Sequence, residues 1–381
     1  MDNTTKQIMD LWRICFPEDT EEFVRFYFAR KYRRENTLLM FRGNTVVSSL
    51  QMLPYDMTFH GQEIKTAYLS GVCTHPSVRN KGFMFNLLKN ALEEMHSQGI
   101  VLTTLIPASE ALFDYYRKVG YTPVFDYAEE HYFLKKTQMT PVTQIFTDNT
   151  VEYVLTEWNP DDNPDDIYLY FRKKEQERPV CLQHSKEEFC AVVEDFYNDG
   201  GVLFFLKNNS GCSIDCRVNS SIKGIAFVWP LENKIRIKEF FFDGMEEKEF
   251  LLWSIAQRYN TAEEIICQTE PCGKTDTDFH FGMARVTDAL FFLTFYAKIF
   301  PEKTLTLKIN DSIIERNNGA YILKNGICEK TTNRLAIKNG APEVSIEQFT
   351  QAVLGYQTER LPEEIAGYFP TLHPYMNLMM N

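Results

Sequence analysis

Tyr68-Leu69-Ser70-Gly71-Val72-Cys73-Thr74-His75-Pro76-Ser77-Val78-Arg79-Asn80-Lys81-Gly82-Phe83-Met84 reads as a strand, a turn and the start of a helix. The strand is predicted to end near Thr74, because His75-Pro76 imposes an extended or turning backbone. The helix that follows is amphipathic, with Phe83, Leu87, Leu88, Ala91, Leu92 and Met95 on its apolar face and Gly99 at its end. Between strand and helix lies Arg79-x-x-Gly82. A glycine there lets the chain approach a ligand closely, and the free N–H groups of a helix start can hold a pyrophosphate. Arg79 and Lys81 add positive charge. The spacing is neither that of a Walker loop nor that of a G-x-G-x-x-G dinucleotide loop.

Upstream, helical patterns run from Thr5 to Cys15 and from Glu21 to Lys31, with Pro17 and the polar residues after it between them. Strand patterns follow at Thr37 to Phe41, Thr45 to Pro54 and Ile64 to Thr74, separated by turns at Gly43 and Gly61. Downstream, Val101 to Pro107 reads as a buried strand. Ser109 is placed to cap a helix from Glu110 to Lys118, Gly120 closes it, and Tyr121 opens the next strand.

The pattern Arg79-x-x-Gly82-x-Met84 resembles the acetyl-coenzyme A signature R/Q-x-x-G-x-G/A of the GNAT-type N-acetyltransferases, with Met84 in place of the usual small residue. Large apolar residues at that place look like the multidomain branch that includes the mycobacterial enhanced-intracellular-survival aminoglycoside acetyltransferases. Tyr115-Tyr116-Arg117-Lys118-Val119-Gly120-Tyr121 is similar to the Y-x-R-F-G-Y element of that branch, its arginine falling on Lys118 and its phenylalanine on Val119. The resemblance implies acetyl-CoA as co-substrate, bound by Val72, Cys73, Thr74, Arg79, Asn80, Lys81, Gly82, Phe83, Met84 and Ser109. It also implies that Tyr116 is the general acid toward the departing thiolate, and that the terminal carboxylate, here on Asn381, is the general base. The family ends on an aromatic residue, so Asn381 is a departure. Direct attack of a neutral amine on the thioester needs only an oxyanion donor, for which a backbone N–H near Cys73 serves, and this acid–base pair.

From Gln144 to about Thr269 strands and helices alternate again, without a second R-x-x-G. Strands are expected at Ile167 to Phe171, Gly201 to Leu206, Ser213 to Arg217, Gly224 to Trp229 and Ile235 to Phe241, and helices at Lys186 to Tyr197 and Glu246 to Tyr259. Met283-Ala284-Arg285-Val286 looks like the opening of the sterol-carrier-like domain that closes proteins of this branch. Its strands are expected at Leu305 to Ile309, Gly319 to Leu323, Ile327 to Lys330 and Leu335 to Ile337. The expected fold class is α/β (α+β): a catalytic acetyltransferase domain over 1–138, a second, cofactor-free acetyltransferase-like domain over 139–280 and a sterol-carrier-like α+β domain over 281–381. The last residues, from Pro374 on, are mostly apolar and are expected to dock rather than fray.

Composition narrows the class. With 44% apolar and 24% charged residues the 381-residue chain is ordinary globular protein, so disorder and collagen-like repeats are excluded. Forty basic residues against 52 acidic ones, a formal charge of −12, argue against a general nucleic-acid binder and suit a cationic small molecule. Nine scattered cysteines without C-x-x-C units indicate a reduced compartment, and seven histidines without H-E-x-x-H leave no expected metal site. Neither a signal peptide nor a membrane-inserted segment is expected, so the location expected is cytoplasmic. The function expected is acetyl-CoA-dependent N-acetylation of a primary amine on a small cationic acceptor, by a homo-oligomer of the kind the relatives form. Two alternatives stand beside it: a transferase for a different acyl group, and a non-catalytic acyl-CoA- or lipid-binding regulatory or scaffold protein.

Overall fold

The computed structural model describes residues 2–134, 153–208, 222–271, 279–331 and 341–380. The expected strands at Ser213 to Arg217 and Leu335 to Ile337, and Asn381 itself, lie outside the described residues.

Two helices, α1 (Asn3–Cys15) and α2 (Glu21–Arg30), open the chain, capped by the side chains of Asp2 and Thr20. They lie against a meander of β1 (Thr37–Arg42), β2 (Thr45–Phe59) and β3 (Gln62–Thr74). Then come α3 (Phe83–Ser97), β4 (Leu102–Leu105), α4 (Glu110–Arg117) and β5 (Thr122–Phe133). The second unit holds β6 (Tyr153–Glu157), α5 (Asp165–Gln176), β7 (Val180–Gln183), α6 (Lys186–Asn198), β8 (Val202–Asn208), β9 (Ile222–Pro230), β10 (Lys234–Phe242), α7 (Met245–Arg258) and β11 (Glu264–Thr269). The remainder comprises β12 (Phe279–Val286), α8 (Ala289–Ile299), β13 (Leu305–Asn310), β14 (Gly319–Lys324), β15 (Ile327–Thr331), β16 (Glu343–Ser345), α9 (Ile346–Val353) and α10 (Glu363–Ala366).

One expectation is corrected here: Ile167 to Phe171 is helical, within α5, not a strand. Ile167, Tyr168, Tyr170 and Phe171 bury one side of two turns, and Asp165 and Asp166 sit where a helix start favours negative charge. Aromatic density in a short window resembles a strand, but the helix continues through the polar run Arg172–Gln176.

Among the described residues twelve strands share one mixed sheet in the order β1-β2-β3-β4-β12-β5-β11-β10-β9-β8-β6, with β7 paired to β2. The last unit has a separate four-stranded sheet, β15-β14-β13-β16. The strand β12, which carries Met283-Ala284-Arg285-Val286, is part of the large sheet: it pairs antiparallel with β4 on one side and β5 on the other. Arg285 is fully buried there, donating from Nε to the Val119 carbonyl (2.6 Å) and from Nη2 to Asp311 (2.7 Å), itself fully buried in the last unit. This ion pair ties the last unit to the end of α4.

The apolar tail docks. The Tyr375 amide bonds to the Val180 carbonyl (2.8 Å) and its carbonyl receives the Leu182 amide (3.1 Å), so the tail runs along β7. Met380, only 3% exposed, ends in a cluster with Trp12, Tyr27 and Cys73 of the first unit.

Candidate functional site

Two features of the backbone make the site. The first is a parting of parallel strands. β3 pairs with β4 only over Thr66–Tyr68, although β3 continues to Thr74. From Leu69 onward its edge on that side has no partner on β4, which leaves room for an extended ligand to pair there, although the Thr74 carbonyl at its end already accepts from Arg79 and Cys15. The register of β3 against β2 also slips between Ser49 and Gln51, so that Gly71 and Val72 oppose the single Leu50: a bulge, with Gly71 at φ +58°.

The second feature is the uncapped start of α3. Gly82 is its N-cap, at φ +77°, and no side chain caps it. The first intrahelical bond is from the Asn86 amide to the Gly82 carbonyl (3.0 Å), which leaves the N–H groups of Phe83, Met84 and Phe85 without an intrahelical acceptor. Asn80 also has positive φ, +61°. Between the strand and this loop His75 makes a local turn: its Nδ1 accepts from the Ser77 amide (3.2 Å).

The expected cofactor residues fall in four places: a loop, the edge of β3, the start of α3 and the N-cap position of α4. Arg79, Asn80, Lys81 and Gly82 form one exposed loop; Arg79 Nε donates to the Thr74 carbonyl (3.1 Å) and Lys81 Nζ to the Ser77 carbonyl (3.3 Å). Val72, Cys73 and Thr74 lie on the freed edge of β3. Met84 faces away from the loop into the core of α3, which is why a large apolar residue fits where the family pattern has a small one. Phe83 is half-buried at the first helical position. Ser109 occupies the N-cap position of α4, but its side chain makes no capping bond and is exposed.

Tyr116, on the buried side of α4, packs with Leu69 and Leu105, one from each of the parting strands. Burial raises its phenol well above the ordinary value, and the nearby Tyr121, Tyr115 and Cys73 add to the shift, so it is held protonated. Asn381 is the expected base, and it lies outside the described residues.

Sequence reasoning missed several groups whose partners are far away in the chain. Cys15, at the end of α1, donates to the Thr74 carbonyl (3.4 Å). Its thiol is lowered to about 7, chiefly by its bond with Cys73 and then by Arg79, while that same contact drives the Cys73 thiol upward. Trp12 lies directly on Gly71. A cavity of about 1000 Å3 opens between α2, the β2–β3 hairpin and the second unit, lined by six cationic side chains and five carboxylates. On its wall the buried Lys31 donates to Tyr55 (2.8 Å) and pairs with Glu188. Burial pulls the Lys31 amine down to about 7.

The second unit repeats the arrangement with the opposite outcome. β10 pairs with β11 over Lys234–Ile237 and then parts from it, with its own register slip before Glu239. Here the tail fills the gap: Tyr375 donates to both oxygens of the buried Glu239 (2.7 Å each) and Asn377 Nδ2 to the Lys238 carbonyl (2.6 Å). The following helix, α7, carries Glu246 and Glu247 in its first turn, which repel an anion.

Residues 2–124 match the acetyltransferase (GNAT) domain family, and residues 286–361 the sterol carrier protein domain family. The chain is thus an enzyme of the acetyltransferase class, with a GNAT domain at its N-terminal end and a sterol-carrier-like domain in its last third. No curated protein matches the sequence. Solved structures share the fold along nearly the whole chain. A conserved protein of Enterococcus faecalis V583, described as a probable N-acyltransferase, has TM-score 0.76 at 16% identity, covering 98% of this chain and 97% of its own. A GCN5-related N-acetyltransferase of Anabaena variabilis has TM-score 0.71 at 15% identity, covering 99% and 96%. Eis1 of Mycobacterium abscessus has 0.69 at 11%, covering 99% and 96%. Among the described residues no helix is long and apolar enough to cross a membrane.

Proposed function

We propose that this enzyme transfers an acetyl group from acetyl-CoA to a primary amine by direct attack in a ternary complex, and that it belongs with the multidomain branch of which Eis1 is a member. The observation that carries this reading is the parting of β3 from β4 beside the uncapped start of α3. The pantetheine arm extends along the freed edge of Val72–Thr74, and the pyrophosphate takes the N–H groups of the Arg79–Gly82 loop and of Phe83 and Met84. The thioester carbonyl meets a backbone N–H of the bulged segment, which stabilises the oxyanion as the amine adds.

Tyr116 presents its O–H to the departing sulfur. Because burial raises the phenol, complete transfer is uphill against a thiol whose ordinary pKa is about 8.5, and hydrogen bonding of the developing thiolate supplies most of the effect. Tyr116→Phe is therefore expected to lower kcat by about 100-fold, with acetyl-CoA affinity within about threefold of the wild type. Equal losses in both, from turnover and calorimetry on the same protein, would assign the residue to binding.

The acceptor is a small-molecule amine. The net charge of −12 favours a cationic one. A homo-oligomer in the cytoplasm completes the proposal. Its test is calorimetric titration of the full chain with acetyl-CoA: micromolar affinity is expected, and no heat from folded protein would remove the donor.

A further inference from the structure

Trp12 covers the bulge of β3 against which the donor's thioester is proposed to lie. The thioester lies, in the reading above on which this inference rests, against the bulge at Gly71–Val72. A Cβ built on Gly71 comes within 2.5 Å of Trp12 Cζ3 and 3.3 Å of Cε3, so the six-membered part of the indole covers the bulge on its α1 side. The opposite side of the sheet at this level holds Tyr116, which must stay to meet the sulfur.

The indole is not free to swing away. Its Nε1–H donates to Asp19 (2.7 Å), and its ring packs against Tyr27 and Phe16 at centroid distances of 4.6 and 4.9 Å. Tyr27 is in turn fixed by its hydroxyl, which donates to Ser70 Oγ on β3 (2.7 Å). Trp12 is 4% exposed and Tyr27 is 1% exposed, so moving the ring means opening a close-packed aromatic cluster. An acyl chain that extends from the bulge toward α1 has to displace this wall.

We propose that Trp12 sets the length of the acyl group, confining the donor to short acyl-CoA thioesters. The test is binding of CoA, acetyl-CoA, butyryl-CoA and octanoyl-CoA to the full chain by calorimetry, which needs no knowledge of the acceptor. Wild-type protein is expected to bind octanoyl-CoA at least tenfold more weakly than acetyl-CoA. Trp12→Ala is expected to raise octanoyl-CoA affinity at least tenfold while leaving free CoA unchanged. Should that variant fail to fold, Trp12→Phe retains an aromatic ring in the cluster but removes the part of the indole that touches Gly71, and is expected to admit butyryl-CoA. Equal wild-type affinity for acetyl- and octanoyl-CoA overturns the inference, as does an unchanged preference in a folded variant. If CoA itself does not bind, the donor reading falls and takes this inference with it. If CoA binds and chain length makes no difference, only the role of Trp12 is lost.

Discussion

Gly82→Glu is expected to weaken acetyl-CoA binding at least 100-fold, about 2.8 kcal/mol, while the protein stays folded. Nothing lies within 4 Å of a Cβ at this position, so the new side chain has room in the ligand-free protein. Two penalties act together. At φ +77° any L-residue costs about 1–2 kcal/mol of backbone strain. A carboxylate at the uncapped start of α3 also occupies the place proposed for the pyrophosphate and would repel it. Gly82→Ala separates the two, since it carries the strain without the charge. It is expected to lose tenfold or less, and a calorimetric loss as large as that of glutamate would assign the effect to backbone distortion.

Breaking the Arg285–Asp311 pair is expected to have the largest effect on stability. Both side chains are fully buried, and burial pulls the guanidinium below its ordinary pKa while Asp311 opposes that shift. Asp311→Asn leaves the guanidinium without its counter-charge, which should destabilise by about 3–5 kcal/mol in urea-induced unfolding. The double variant Arg285→Met with Asp311→Asn removes the orphaned charge and should recover a large part of that loss. The asparagine oxygen can still accept from the Ile313 and Ile314 amides, which Asp311 holds at 2.9 Å. Equal instability of single and double variants would mean that the packing around Arg285 matters more than its charge.

The local elements of the first unit were legible because their signals are local. His75-Pro76, the glycine at 82 and the 3.6-residue period after it lie within one short window, and the structure has a strand, turn and helix there. What the sequence hid is long-range. Trp12 and Gly71 lie on separate elements with no local mark of their contact. Tyr375 and Glu239 are brought together only when β10 parts from β11. Met283–Val286 carries one β-branched residue and a charged arginine, and nothing in four residues states that they form a buried strand or which sheet it joins. At Ile167–Phe171 the failure was one of period: two turns of a helix with aromatic residues on one side resemble a strand unless the polar residues after them are counted.

The placement of β12 governs how the protein comes into being. β4 and β5 are made early, yet the strand that lies between them arrives about 180 residues after β4. At roughly 5–20 residues per second the nascent chain holds the facing edges of β4 and β5 unsatisfied for about ten to forty seconds. Those edges flank the segment that carries Tyr116, so the acyl-transfer unit has no finished sheet until most of the polypeptide has been synthesised. Its maturation is tied to the segments that follow it, and a cell that stalls late in translation is left with an open sheet rather than a working enzyme.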